Sequence, residues 1–370
     1  MARYIWQDEK WPEFRWQDSV LLKPLGECRL LQGKIIAEIA KLGFDSGQQA
    51  KMDILIEEAV TTAAIEGETL SRESVRSSIA RKLGLPSAGL PVDRNADGLV
   101  ALLMDATQNY AEPLTRERLF GWQAALFPTG YSGLHRVITG GWRGDEPMRV
   151  VSGNLGRERV HFEAMPGQRV EAEMASFFRW WQESLGALDG IVRAALAHFW
   201  FVTIHPFEDG NGRIARALTD MALAQDDKQV MRYYSLSSQI NAERDSYYEV
   251  LERTQKGEMD ITGWLEWFSG CFGRSIVSSE KKMSIVLDKA SFWYRHSGTE
   301  LSHRQRKVIN RLLDAGRGGF EGGLTNRKYA SMAEVSRATA TRELQNLQDL
   351  GFIRANPGKG RSASYDLVWD

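Results

Sequence analysis

The chain has 370 residues, 43% of them hydrophobic and 26% charged, with a formal net charge of -1. That balance is ordinary for a globular protein and excludes a global electrostatic pull toward nucleic acid or anionic lipid, so any basic surface must be local. Single cores stop growing at roughly 250 residues, so two or three domains are expected.

Cys28 and Cys271 lie far apart with no paired spacing. They suggest neither a disulfide scaffold nor a zinc site, and fit buried thiols in a reducing compartment. The N-terminus lacks a secretory apolar core, and no apolar run reaches the ~18 residues of a membrane span. A soluble cytoplasmic protein without membrane contact is expected.

Trp6, Trp11 and Trp16 recur at a spacing that matches neither a helix face nor a strand face, which predicts an extended N-terminal arm fastened to a helical body. Apolar residues at three- and four-residue spacing then predict helices in LLQGKIIAEIAKLG and KMDILIEEAVTTAAIEG, the second closing at Glu66 with Gly67 as a C-cap glycine. The stretch LGLPSAGLPVDRNADG, near residues 83–98, marks a boundary. Two β-prone runs, PMRVVSG and RERVHFEAMPG, flank a turn and predict a hairpin over Met148–Phe162.

Two helical segments follow, VEAEMASFFRWWQESL and RAALAHFWFVTI, the latter apolar nearly all round and hence buried. INAERDSYYEVLERTQKG is a later helix that puts Tyr247 and Tyr248 on different faces. The polar segment 295–301 reads as a linker. Beyond Ser302 come three helices, two strands and the basic turn PGKGRS, the order of a winged helix-turn-helix. The fold class is therefore mainly α, with a β-hairpin and a C-terminal winged helix, organised as residues 1–95, 96–295 and 302–370.

The run HPFEDGNGRIAR, His205 to Arg216, carries the chemistry. Pro206 cannot continue the preceding helix, because it lacks a donor and crowds the turn before it. Asp209-Gly210-Asn211-Gly212 tolerates positive φ and close backbone approach, after which RIARALTDMALAQ resumes helical periodicity. A glycine-rich turn that opens a helix gathers unpaired N–H groups at one point and attracts an anion, phosphate above all. Arg213 and Arg216 lie three apart, on one helix face, where guanidinium forks match phosphate oxygens. Asp209 offers a hard oxygen for Mg²⁺, with Mn²⁺ as the alternative ion, and His205 can take a proton from an incoming hydroxyl. A plain helix–helix turn has no use for this whole set in fixed register.

The run resembles the Fic family signature HxFx(D/E)GNGRxxR at every defined position. That resemblance implies a Fic-type helical bundle and transfer of AMP from ATP to a protein hydroxyl, on target proteins and on the chain itself. His205 would be the base and Asp209 the metal ligand. Asn211 and the amides of Gly210 and Gly212 would line the anion hole, Arg213 and Arg216 would grip phosphates, and Phe207 would anchor the loop. Thr62-x-x-x-Glu66-Gly67 resembles the family's inhibitory motif, which implies that Glu66 occupies Arg216 and locks the site. In some members the same glutamate supports hydrolytic removal of AMP, and the direction stays open here.

The resemblance further implies that the hairpin, with Val150, Val151, Ser152 and Gly153, is a flap that pairs with an extended target segment. Tyr247, Tyr248 and Gln255 would border the adenine, Gln255 standing where the family often has asparagine. Ser336–Leu350 would be a recognition helix, and the basic residues from Arg304 to Arg361 allow contact with DNA or with protein. A homodimer is left open. The rival function is a DNA-binding regulator in which the same bundle only senses nucleotide.

Overall fold

The computed structural model describes residues 4–39, 44–84, 93–152, 159–228, 233–357 and 363–369. The chain divides into two compact units, one of residues 1–40 with 51–279 and one of residues 41–50 with 280–370. Among the described residues, no helix is long and apolar enough to cross a membrane.

The first unit opens with a 3-10 turn, Ile5–Gln7, and the helices α1 (Asp18–Ile39), α2 (Phe44–Ile65, shared with the second unit), α3 (Arg72–Lys82), α4 (Arg94–Gln108) and α5 (Arg116–Leu126). A two-residue ribbon of β1 (Tyr131–Ser132) and β2 (His135–Arg136) precedes the antiparallel hairpin β3 (Arg149–Ser152) and β4 (Arg159–Glu163). That hairpin pairs Arg149 with Glu163 and shifts register between Val150 and Val151. Then come α6 (Gly167–Glu183), α7 (Gly190–Ile204), α8 (Asn211–Asp227), α9 (Leu236–Ala242), α10 (Arg244–Gln255) and α11 (Thr262–Arg295), the last shared with the second unit.

Every residue of α7 is buried, as its all-round apolar composition dictates. The Asp189 carboxylate caps its start by accepting from the Ile191 and Val192 amides. Helices α7 and α8 pack along each other, and α4 covers α8. The loop that joins two core helices is therefore held at both ends by buried surface.

The N-terminal arm docks through its backbone and two of its three tryptophans. The Trp6 indole donates to the Glu163 carbonyl at 2.8 Å and the Trp11 indole to Glu173 Oε2 at 2.9 Å. Trp16 turns back locally and donates to Asp18 Oδ1 at 2.9 Å. Part of the arm is a 3-10 turn where an extended segment is expected.

Residues 85–92 of the expected boundary lie outside the described residues. On either side of them, α3 and α4 pack together, and Asp97 accepts from both Ser78 and Arg81. The regions predicted as 1–95 and 96–295 thus share one compact unit up to residue 279. The division falls inside α11, ahead of the polar segment 295–301, because Phe292 on that helix is buried in the second unit's own core.

The second unit continues with α12 (His303–Asp314), β5 (Leu324–Thr325), α13 (Asn326–Ala333), α14 (Arg337–Asp349), β6 (Ile353–Ala355) and β7 (Ser364–Leu367). Its strands form an antiparallel sheet in the order β5-β7-β6, so the chain contains a third strand beyond the two expected. A Ser302–Gln305 capping box starts α12. Val308, Leu312, Tyr329, Leu344, Leu347 and Phe352 pack around Phe292. Residues 358–362 of the expected basic turn lie outside the described residues.

Candidate active site

Between α7 and α8 the backbone turns at His205, whose φ of 54° and ψ of 59° are left-handed. Arg143 holds this conformation: its Nε donates to the His205 carbonyl at 2.7 Å, and its backbone N–H donates to the Pro206 carbonyl at 2.9 Å. The same guanidinium donates to the Met165 carbonyl. Phe207 is fully buried against Phe120, Trp142 and Phe201, so the loop is nailed into the core at its third residue. Gly210 then adopts a φ of 87° ahead of the first turn of α8.

The His205 imidazole faces the Val202 carbonyl through Nδ1 at 3.2 Å. A carbonyl can only accept, so Nδ1 carries the proton and Nε2 is left with a free lone pair. Burial pushes this imidazole down to about 4, so it is neutral at physiological pH. The group has the protonation state that a general base requires.

The Asn211 side chain turns back onto the loop that precedes it. Its Oδ1 accepts from the Phe207 amide at 3.0 Å and its Nδ2 donates to the Phe207 carbonyl at 2.8 Å, so the side chain clasps the loop on itself. Asp209 Oδ1 accepts from the Gly210 amide, and Oδ2 accepts from Ser132 Oγ.

Both arginines of α8 are buried and both already face carboxylates. Arg216 donates through Nε to Thr62 Oγ1 and through Nη2 to the Thr62 carbonyl at 2.9 Å and to Glu66 Oε1 at 2.7 Å. Burial alone would lower the Arg216 guanidinium, but the Glu66 carboxylate raises it above its ordinary value. Arg213 Nη1 donates to Glu68 Oε1 at 2.8 Å and to Oε2 at 3.0 Å. A Cβ built on Gly212 would stand 2.2 Å from Glu66 Oε1, so the carboxylate lies directly on the first turn of α8, where only glycine leaves room. Two buried donors, Arg213 Nε and Arg216 Nη1, have no acceptor among the described residues. Orphaned guanidinium nitrogens beside a helix N-terminus are the mark of an anion-binding place.

A cavity of about 640 Å³ opens beside this point, within the size range of small-molecule sites. Glu66, His205 and Gly212 line one side, Val150, Val151 and His161 of the hairpin a second, and Tyr247, Tyr248 and Gln255 of α10 a third. Tyr247 is fixed by a 2.9 Å hydrogen bond to His198 Nε2, whose other nitrogen lies 3.0 Å from Thr219 Oγ1. Gln255 Nε2 donates to Thr203 Oγ1 at 3.2 Å, while Tyr248 is partly exposed with Arg244 over its ring. Gly153 and the side chain of Ser152 lie outside the described residues. Among the described residues, no group of three or more His, Cys, Asp or Glu is placed to hold a metal. The single Asp209 carboxylate fits a hexacoordinate Mg²⁺ only where substrate oxygens and water complete the shell.

Sequence reasoning missed Glu68, Arg143, Ser132 and His198. A second acid two residues beyond Glu66, and a lone histidine in an otherwise apolar helix, are the only signals that pointed to two of them. Arg143 and Ser132 sit in no motif.

Residues 113–223 match the model of the Fic/DOC family, and residues 4–85 match a domain family of unknown function, DUF4172. The protein adenylyltransferase fic-1 of Caenorhabditis briggsae is 30% identical over 166 residues, covering 44% of this chain and 30% of its own. The protein adenylyltransferase Fic of Culex quinquefasciatus is 28% identical over 240 residues, covering 63% and 43% respectively. The chain thus spans less than half the length of these curated relatives. A crystal structure of a Fic family protein from Desulfovibrio desulfuricans G20 has the same fold, with a TM-score of 0.55 over 94% of this chain and 96% of its own at 20% identity. Fic-1 from C. elegans aligns with a TM-score of 0.51 over 72% and 74% at 19% identity.

Proposed function

The chain belongs to the Fic family, and from that premise we propose that it is a protein adenylyltransferase, transferring AMP from ATP to side-chain hydroxyls of target proteins and of itself. The observation that carries this reading is the neutral His205, which lines a cavity together with Gly212 and Glu66, while Arg213 and Arg216, on the same helix as Gly212, keep buried donors without an acceptor among the described residues. The curated relatives that carry the adenylyltransferase name support it.

In this reading the acceptor hydroxyl attacks the α-phosphorus while its proton passes to His205 Nε2. The bond from the α-phosphorus to the oxygen bridging toward the β-phosphorus breaks, and diphosphate leaves with that oxygen. Arg213 and Arg216 hold the β- and γ-phosphates, and the first-turn amides of α8 face the developing charge. Asp209 would hold Mg²⁺, which neutralises charge on the phosphates when bound. The hairpin gives an extended target segment an edge to pair with, so backbone hydrogen bonds would align the acceptor. Glu66 on Arg216 keeps the resting site closed to this arrangement.

The direct test is incubation of the full chain with radiolabelled ATP and Mg²⁺, followed by a denaturing gel. A covalent band that is strong in Glu66→Gly and absent in its His205-substituted form supports the reading. Absence of a band in every form, with ATP bound, overturns it.

A second reading makes the same cavity a nucleotide sensor for a DNA-binding second unit. It is favoured by the solvent face of α14, where Arg337, Thr341, Arg342 and Gln345 are all exposed, a set able to meet phosphates and base edges. A nucleotide-dependent shift of duplex DNA without any covalent band would select it.

A further inference from the structure

Arg213 is engaged by an acid that stands outside the Thr62–Gly67 segment. Helix α2 closes with the Gly67 amide donating to the Ala64 carbonyl and the Glu68 amide donating to the Ala63 carbonyl, each at 3.0 Å. This pair of bonds, with Gly67 at a φ of 81°, is a Schellman closure, and it sets Glu66 and Glu68 at a fixed separation on the two flanks of one glycine. Glu66 meets Arg216 and Glu68 meets Arg213.

The Arg213–Glu68 contact differs from a pairing made to last. A lasting guanidinium–carboxylate pair joins two nitrogens to two oxygens, whereas here one nitrogen, Nη1, serves both Glu68 oxygens, Nη2 lies 3.5 Å from Asp209 Oδ1, and Nε is buried without an acceptor among the described residues. Arg213 is nearly inaccessible, with 4% of its side chain exposed, while Glu68 keeps 41%, so the acid can swing into water and leave the arginine in place. The arginine is thus part of the built site, and the acid is its replaceable occupant.

We propose that Glu68 is a specificity-determining residue that makes the cavity discriminate among nucleotides by the number of their phosphates. This rests on the reading of the cavity as a nucleotide site. A nucleoside monophosphate can sit against the hairpin and α10 without reaching Arg213. A triphosphate reaches it only by displacing Glu68, in addition to Glu66 from Arg216. Glu68 therefore weakens triphosphates selectively and leaves monophosphates untouched.

The test is calorimetric titration of the 370-residue chain with AMP and with the α,β-methylene analogue of ATP, which cannot transfer AMP. The parent, Glu68→Gln, Glu68→Ala and Glu66→Gly forms are compared. Both Glu68 variants are expected to bind the triphosphate analogue about tenfold more tightly than the parent, equivalent to about 1.4 kcal/mol, with AMP affinity within about twofold. Equal tightening of AMP and analogue, or an analogue affinity unchanged while AMP and analogue both bind, would overturn the assignment of Glu68 alone. Failure of every form to bind either nucleotide would remove the nucleotide site, and the inference with it.

Discussion

Arg216 Nη2 donates to Glu66 Oε1 at 2.7 Å across 150 residues of sequence, and the carboxylate that accepts it also covers Gly212 at the start of α8. One side chain thus sits on the first turn of α8 and engages the guanidinium that would hold a phosphate in the proposed reaction. The energetic weight of the pair comes from the burial of Arg216, which has 2% of its side chain exposed. Two unit charges about 4 Å apart interact by roughly 4 kcal/mol at an effective dielectric near 20.

Removing that carboxylate should open the site. Glu66→Gly is expected to raise auto-labelling from radiolabelled ATP by at least about tenfold, or 1.4 kcal/mol of barrier. It should also lower the melting temperature in the absence of nucleotide, since Arg216 is left buried with only Thr62 as partner. Equal labelling by parent and variant would discard the lock.

Loss of the base should abolish transfer without loss of fold. His205 sits at a φ of 54°, which asparagine tolerates better than alanine, so His205→Asn is the cleaner substitution. In the Glu66→Gly background its labelling rate is expected to drop by about 10²–10⁴-fold. An unchanged rate, measured with circular dichroism as the check on folding, would reject His205 as the base.

Acid should destabilise the protein earlier than carboxylates alone would dictate. Burial pushes His205 down to about 4 and His198 down to about 3, below the ordinary histidine value. Below about pH 6.5 the unfolded chain therefore takes up protons at both positions that the folded chain refuses. Stability from these groups is complete above that pH and declines as pH falls toward 4, by up to about 1.4 kcal/mol per pH unit for each group. Urea unfolding midpoints at pH 7.5, 5.5 and 4.5 should fall in the parent and fall less steeply in His205→Asn.

Gly212 should resist substitution even when the lock is gone. A Cβ there stands 2.2 Å from Glu66 Oε1 and 3.2 Å from Arg216 Nη1, the space an anion on this turn would need. Gly212→Ala combined with Glu66→Gly is expected to label at least about tenfold more slowly than Glu66→Gly alone. Matching rates in a time course would show that the phosphates bind elsewhere.

The loop and its flanking helices were legible in the sequence because their causes are local. Pro206 ends α7, glycine at position 210 turns the chain, and the apolar run before His205 has no face to offer water. Each of these follows from a few consecutive residues. Asn211 shows the limit of such reasoning: nothing in its residue type reveals the two bonds by which it clasps the Phe207 backbone.

The division of the chain was less legible. A polar stretch at 295–301 looks like a linker, but the division depends on where Phe292 packs, and that is set by its partners in α12 to β7.

By itself the sequence determined a mainly helical protein whose one chemical loop joins two core helices, because helix ends, glycine turns and apolar periodicity act over short spans of chain. Only the tertiary structure decided that Glu66 meets Arg216 while Glu68 meets Arg213, and that Asp209 faces Ser132. Two acids separated by a single glycine are equivalent in any pattern of spacing. The packing of the end of α2 against the start of α8 distinguishes them, and it is set by surfaces about 150 residues apart in the chain.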